Sequence, residues 1–163
     1  MPESETIRRA AEDKREGKAA STQAGEFVRE EIHHIREGKH GARSTKQAIA
    51  IGLSKARRSG VKLPATKGSS AGTKAQAKRD TAAARKRGTK TSTTRSRGVR
   101  AALRHEGRAA ASPSALAKQA RSSARKHTAA ERSAAAKKAA RTKGAAGRSA
   151  SAKKAARTRA RRS

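Results

Sequence analysis

The chain has 163 residues and a net charge of +31, with Phe27 as its single Phe, Tyr or Trp and no cysteine at all. That composition excludes a disulfide framework and thiolate chemistry, and it leaves too few large apolar side chains for more than one small core. Residues 1–40 are almost neutral at −1, residues 41–65 carry +6, and residues 66–163 carry +26, from 29 Lys and Arg against Asp80, Glu106 and Glu131.

Residues 1–21 read as a charged, marginal N-terminal helix over roughly 4–16, which offers a core only Ile7 and alanines. Residues 22–64 read as a helical head. Its first helix, about 23–37, places Val28, Ile32 and Ile35 on one face of a 3.6-residue period, with Phe27 widening it. Its second helix opens on Ser44-Thr45-Lys46-Gln47, a capping box with Ser44 as the cap and Gln47 reaching back. Ile49, Leu53 and Ala56 follow at helical spacing, Gly60 stops the helix, Val61 makes the contact beyond it and Pro64 prevents resumption. A short echo recurs in the head: Arg15-Glu16-Gly17-Lys18 before Ser21-Thr22, and Arg36-Glu37-Gly38-Lys39 before Ser44-Thr45. It suggests helix, glycine stop and capped restart, giving an αα-hairpin or a small three-helix unit.

Beyond Pro64 the chain is low in complexity. Residues 65–97 read as a disordered linker, and 98–163 as an Ala/Lys/Arg-rich tail with transient helices, because so little apolar surface cannot offset the entropy of ordering. Val99 and Leu103, the pair Ser112-Pro113, and the box Thr128-Ala129-Ala130-Glu131 mark local helical tendency. Near the end, the stretch beginning at Ser133 recurs sixteen residues later at Ser149, matching at nine of twelve positions around Lys-Lys-Ala-Ala-Arg-Thr. The fold class expected is therefore mostly α with extensive disorder.

Such charge calls for a polyanion, and nucleic acid is the abundant one. The candidate phosphate contacts in the tail are Lys137, Lys138, Arg141, Lys143, Lys153, Lys154, Arg157, Arg159, Arg161 and Arg162. Those in the head are Lys46, Lys55, Arg57, Arg58 and Lys62. Phosphates recur without sequence information, and the lack of Tyr and Trp removes the usual stacking platform for unpaired bases. DNA is favoured over RNA, and a membrane is not expected as partner because the tail has no hydrophobic face to insert.

The run from Lys46 through Arg58, followed by Gly60-Val61-Lys62-Leu63-Pro64, resembles a motif of small basic bacterial proteins that form a domain-of-unknown-function family, over roughly residues 24–64. The resemblance implies a bacterial origin and no particular activity. The Ala/Lys-rich stretch 109–163 resembles the C-terminal tails of histone H1 and of bacterial H1-like proteins, which implies neutralising and condensing DNA.

Two further readings of the head are open. Ala48, Gly52, Leu53 and Ser54 fit a divergent helix-turn-helix with Gly52 in the turn, although Arg58 would then fall where an apolar residue belongs. The face of Phe27, Val28, Ile32 and Ile35 could instead self-associate or dock a protein, making the chain an adaptor. Glu30 with His34, and His33 with Glu37, are i,i+4 pairs near His40 that could approach a cation, but no third fixed ligand is evident; no metal and no cofactor are expected. No phosphate loop, nucleophile elbow or His-Glu-x-x-His motif is present, so no enzyme is expected. The acidic start lacks an apolar signal region and no run approaches a membrane span, which suggests a cytoplasmic, nucleoid-associated protein. The expected activity is sequence-nonspecific, histone-like DNA binding. The alternative is an RNA-binding or ribosome-assembly role for the same tail.

Overall fold

The computed structural model describes residues 2–66, 68–85 and 92–161. The described residues form seven α-helices and one 3-10 turn, with no strand among them. Two compact units result, Met1–Ala120 and Arg121–Ser163.

In the first unit, α1 (Ser4–Arg15), α2 (Ala20–Arg36) and α3 (Thr45–Arg58) pack in sequence, and α4 (Ala71–Arg85) packs on α3. The glycine stops are present as expected. Gly17, Gly38 and Gly60 all have positive φ, and each is followed by a paired closure of the helix end. Gly17 N–H donates to Lys14 O and Lys18 N–H to Asp13 O; Gly38 and Lys39 do the same to Ile35 and His34; Gly60 and Val61 do so to Arg57 and Ala56. This is the Schellman arrangement, and it needs a residue without Cβ at the left-handed position. The echo in the sequence is therefore one structural stop used repeatedly.

The restarts differ from each other. Ser44 Oγ accepts from Gln47 N–H, while the Gln47 side chain reaches past the cap to accept from Arg43 N–H. Ser21 and Thr22 cap nothing: α2 begins at Ala20 without a side-chain cap, and Gln23 Nε2 donates to Lys18 O instead. Ile7 also departs from expectation. It is 45% exposed, and α1 faces the core through Thr6, Ala10 and Asp13. An i,i+3/i+4 lattice of Glu5, Arg8, Arg9 and Glu12 supports its outer face.

Two apolar clusters hold the unit together. One joins Ala10, Ala24, Phe27, Ala56 and Val61, with Leu53 and Leu63 against it. The other joins Ile32, Ile35, Ala42, Ala48, Ala110 and Ala111, with Val28 and Leu116 against it. The docking face expected from Phe27, Val28, Ile32 and Ile35 is thereby corrected: Phe27 and Ile35 are 1% and 0% exposed and face their own core. The helix-turn-helix is corrected as well, because α3 runs unbroken through Gly52. Gly52 is where α2 crosses α3: a Cβ there would lie 2.7 Å from Val28 Cα. Gly52→Val should therefore push the helices apart and cost about 1–3 kcal/mol, read as a lowered midpoint in urea denaturation.

The disordered linker is corrected over 71–85, where α4 forms because Asp80, only 2% exposed, accepts from Arg58 Nε (3.0 Å) and Gln76 Nε2 (3.0 Å). Part of that expected linker, residues 67 and 86–91, lies outside the described residues. Asp80→Ala should strip Arg58 of its partner and release α4, measured as faster amide exchange across 71–85 with α2 unaffected.

Disorder is corrected in 98–161 too, the last two residues of the expected tail lying outside the described residues. The described residues form α5 (Thr93–Arg104), the turn Ala109–Ala111, α6 (Pro113–Arg125) and α7 (Ala129–Ala160). Alanine and long-chain cations are good helix formers, and each start has its cap: Ser92, Ser112 and Thr128 accept from the N–H of Arg95, Ala115 and Glu131. The segment after α5 also completes the first unit. Gly41 N–H donates to Leu103 O (2.8 Å) and Ala42 N–H to Gly107 O (3.1 Å). Thr45 Oγ1 donates to Ala110 O (2.7 Å), and Arg36 Nε to Ala111 O (2.9 Å). Gly41 sits so close to the Glu106 carbonyl that no side chain fits there.

Candidate nucleic-acid interface

α7 has no buried residue, and its backbone breaks at Gly144 (φ 66°, ψ 173°) into two helical stretches. Each stretch carries Lys-Lys-Ala-Ala-Arg-Thr, and the repeat reproduces its local structure. Thr142 Oγ1 donates to Lys138 O, and Thr158 Oγ1 to Lys154 O, both at 3.0 Å. Arg132 Nη1 donates to Ala124 O (3.2 Å) and His127 O (2.6 Å), and Arg148 Nη1 to Ala140 O (2.9 Å). These two arginines, sixteen residues apart, cap the carbonyl end of the helical turns before them, where the dipole favours a cation.

Lys137, Lys138 and Arg141 fall within about 100° of helix circumference, and Lys153, Lys154 and Arg157 repeat that arc, with rows about 6 Å apart along the axis. All six are exposed, as are Lys143, Arg159 and Arg161; Arg162 lies outside the described residues. There is no apolar stripe along α7 for a protein or bilayer to cover. Ser112 and Thr128, which cap α6 and α7, and the break at Gly144 stand sixteen residues apart.

Glu131 is the one acid of the second unit, and it serves the fold. Its carboxylate accepts from Thr128 N–H (2.8 Å) while Thr128 Oγ1 accepts from Glu131 N–H (3.1 Å). The Thr128 backbone N–H, then its hydroxyl, hold the Glu131 carboxyl below its ordinary 4.5. The folded value is depressed, so the cap is intact above about pH 4.5 and is lost as pH falls through the lower folded value. Helicity of a 121–163 peptide followed by circular dichroism should fall below that pH, and Glu131→Gln should remove the step.

In the first unit the five head candidates separate. Lys46 and Lys62 are exposed. Lys55 Nζ lies 2.6 Å from Glu31 Oε2 and 3.3 Å from Glu30 Oε1, and Arg57 is buried with its Nε donating to Leu63 O (2.8 Å). Arg58 is paired with Asp80. Lys55, Arg57 and Arg58 are thus committed to the fold. The structure supplies cations that the sequence reading missed, because it left 65–97 unfolded. Between segment 62–66 and α4 lies a groove of about 820 Å³ with Leu63, Pro64 and Ala77 in its lining and Lys62, Lys74, Lys78 and Arg85 around it. On α4 those residues share one helical face, a signal the spacing 74, 78, 85 could have shown had a helix been expected.

No histidine lines the groove beside α4. Glu31, His34 and His40 converge, with one ligand-type atom of each within 4.8 Å of the others. The third group that the i,i+4 pairs lacked is His40, brought back by the turn at Gly38, and the carboxylate is Glu31 rather than Glu30 or Glu37.

Fold and surface together define a small basic all-α protein with a packed head and an exposed cationic helical end. Residues 5–67, covering α1 to α3, match the model of a family of unknown function, DUF6496. No curated protein and no solved structure matches the chain. Among the described residues, no helix is long and apolar enough to cross a membrane.

Proposed function

We propose that this protein binds nucleic acid without sequence preference, duplex DNA before RNA, in the manner of a histone-like protein of the bacterial nucleoid. The observation that carries the reading is the exposed cationic surface of α7, where two Lys-Lys-Ala-Ala-Arg arcs share a unit whose one acid is the capping Glu131. Helices of this kind lie along phosphates as rows of point charges and guanidinium forks, and they hold little that reads a base edge. The break at Gly144 lets two short helical rows follow a curved backbone where one straight rod would leave it. The basic groove beside α4 adds a second phosphate-facing surface, so that the protein can neutralise and bridge DNA.

The test is recovery of crosslinked nucleic acid from cells, with DNA and RNA quantified separately, alongside binding to unrelated duplexes in vitro. Equal affinity for unrelated duplexes and predominant recovery of DNA support the reading. Predominant recovery of RNA moves the function to an RNA or ribosome-assembly role, and strong preference for one sequence overturns the nonspecific mechanism.

A further inference from the structure

In a chain this basic, one place gathers carboxylates and histidines, and its hydrogen bonding has a gap. Glu31 is 0% exposed, and neither of its carboxylate oxygens has a hydrogen bond of good geometry. Lys55 Nζ sits 2.6 Å from Oε2, which leaves Oε1 facing His40 Nε2 at 3.2 Å. The other nitrogen of His40, Nδ1, is 3.1 Å from the Gly41 carbonyl. A carbonyl only accepts, so Nδ1 carries the ring proton. In the neutral imidazole Nε2 is then bare, and two lone pairs face each other across a buried gap. A cation between them removes the conflict.

His34 has the same arrangement on the other side. Its Nε2 is 2.9 Å from Glu3 Oε1, a carboxylate oxygen that also takes Lys39 Nζ at 3.3 Å. A ring whose Nε2 proton goes to Glu3 keeps Nδ1 as the nitrogen that can ligate. Both histidines thus give one N–H to an outer acceptor, the orientation that metal-bound histidines use to fix tautomer and ring. The two rings stand edge to face, 6.1 Å apart at 85°, and do not stack over the gap. Charge agrees: Glu3, Glu30, Glu31 and Glu37 surround the place, against Lys39 and Lys55. A polar cleft of about 210 Å³ reaches His34, lined by Glu3, Glu30, Glu37 and Lys39 with Arg9 and Arg29 also on its wall.

We infer that Glu31, His34 and His40 form a binding site for a divalent first-row transition metal ion of the zinc type. Two imidazoles and one carboxylate oxygen suit zinc over magnesium or calcium, and they leave a fourth position to water. The ion would tie the end of α2 to the turn before α3, the same turn on which residues 103–111 dock. This inference is independent of the nucleic-acid reading, since none of its residues belongs to α7 or to the basic groove.

The test uses the full chain, stripped of metal by chelator. Titration with ZnCl₂ alone should give one site per chain and a higher melting temperature, and CoCl₂ should give the visible absorption of low-coordinate cobalt. His34→Gln and His40→Gln should each weaken zinc binding at least about 100-fold and abolish the cobalt spectrum, and Glu3→Gln should weaken it about tenfold. His33→Gln and His105→Gln should leave both unchanged, which separates this site from casual binding at surface histidines. If His40→Gln lowers the metal-free melting temperature, Glu3→Gln still reads the site, because Glu3 is outside the core. Zinc binding that is undetectable at about 0.1 mM, that survives His40→Gln, or that drops equally in the His33→Gln and His105→Gln chains overturns the inference.

Discussion

Removing residues 121–163 is expected to weaken duplex DNA binding by at least about 100-fold at about 0.1 M salt and to flatten its salt dependence. That segment holds fifteen Lys and Arg against the single acid Glu131. If ten of the fifteen engage phosphates, the slope of log affinity against log salt should become shallower by about nine. The remaining chain, 1–120, keeps both apolar clusters and the groove beside α4, so it should stay helical and retain weak, salt-sensitive binding. Binding measured by fluorescence anisotropy at several salt concentrations checks this. Unchanged affinity in the shortened chain would move the function to the head. A second comparison locates the charge more finely: replacing Lys137, Lys138 and Arg141 with Gln should cost about as much as replacing Lys153, Lys154 and Arg157, because the repeat builds the same arc twice.

The second large effect concerns where the folded head ends. A chain of residues 1–67, which contains the part matched by the family model, should be less stable than 1–120 by about 3 kcal/mol, or roughly 15 °C in melting temperature. Truncation uncovers Ile32, Ile35, Ala42 and Ala48 by removing Ala110, Ala111 and Leu116. It also releases the acceptors of Thr45 and Arg36, along with those of the Gly41 and Ala42 N–H groups. Thermal melts of both chains, with helicity as the readout, test it. Equal melting temperatures would mean that residues 103–116 rest on the head without stabilising it. Leu116→Ala in the full chain should give a smaller loss in the same direction, since Leu116 is only partly buried.

Local order was readable wherever a residue type has one strong backbone consequence. Gly17, Gly38 and Gly60 announce helix stops because a left-handed residue without Cβ is nearly a requirement there, and Ser44 and Thr128 announce starts because their hydroxyls satisfy an otherwise orphaned N–H. The head helices follow from those marks and from the spacing of Ile32, Ile35, Ile49 and Leu53. Beyond Pro64 order does not depend on whether each segment can bury apolar surface by itself. α4 does not do so. It is held by Asp80, an isolated acid in a basic stretch whose partner, Arg58, lies twenty-two residues earlier. An acid placed against the prevailing charge was the available signal. Asp80 docks α4, as Glu131 caps α7.

The site residues divide along the same line. That Lys55 and Arg57 face inward while Lys46 faces solvent depends on how α3 is rotated against α2, and the close approach at Gly52 fixes that rotation. Nor could spacing along α2 have gathered Glu31, His34 and His40, because the third ligand comes from beyond the Gly38 turn.

Composition by itself determined the surplus of positive charge that a polyanion would neutralise, and the absence of Tyr and Trp as stacking platforms for bases, since net charge and residue type survive any fold. The tertiary structure alone decided which cations remain outside and which become internal struts. It also decided that a distant segment completes the head, and that one carboxylate is buried against two imidazoles. Those outcomes depend on residues far apart in the chain meeting in space, a separation over which neither helical period nor capping chemistry carries information.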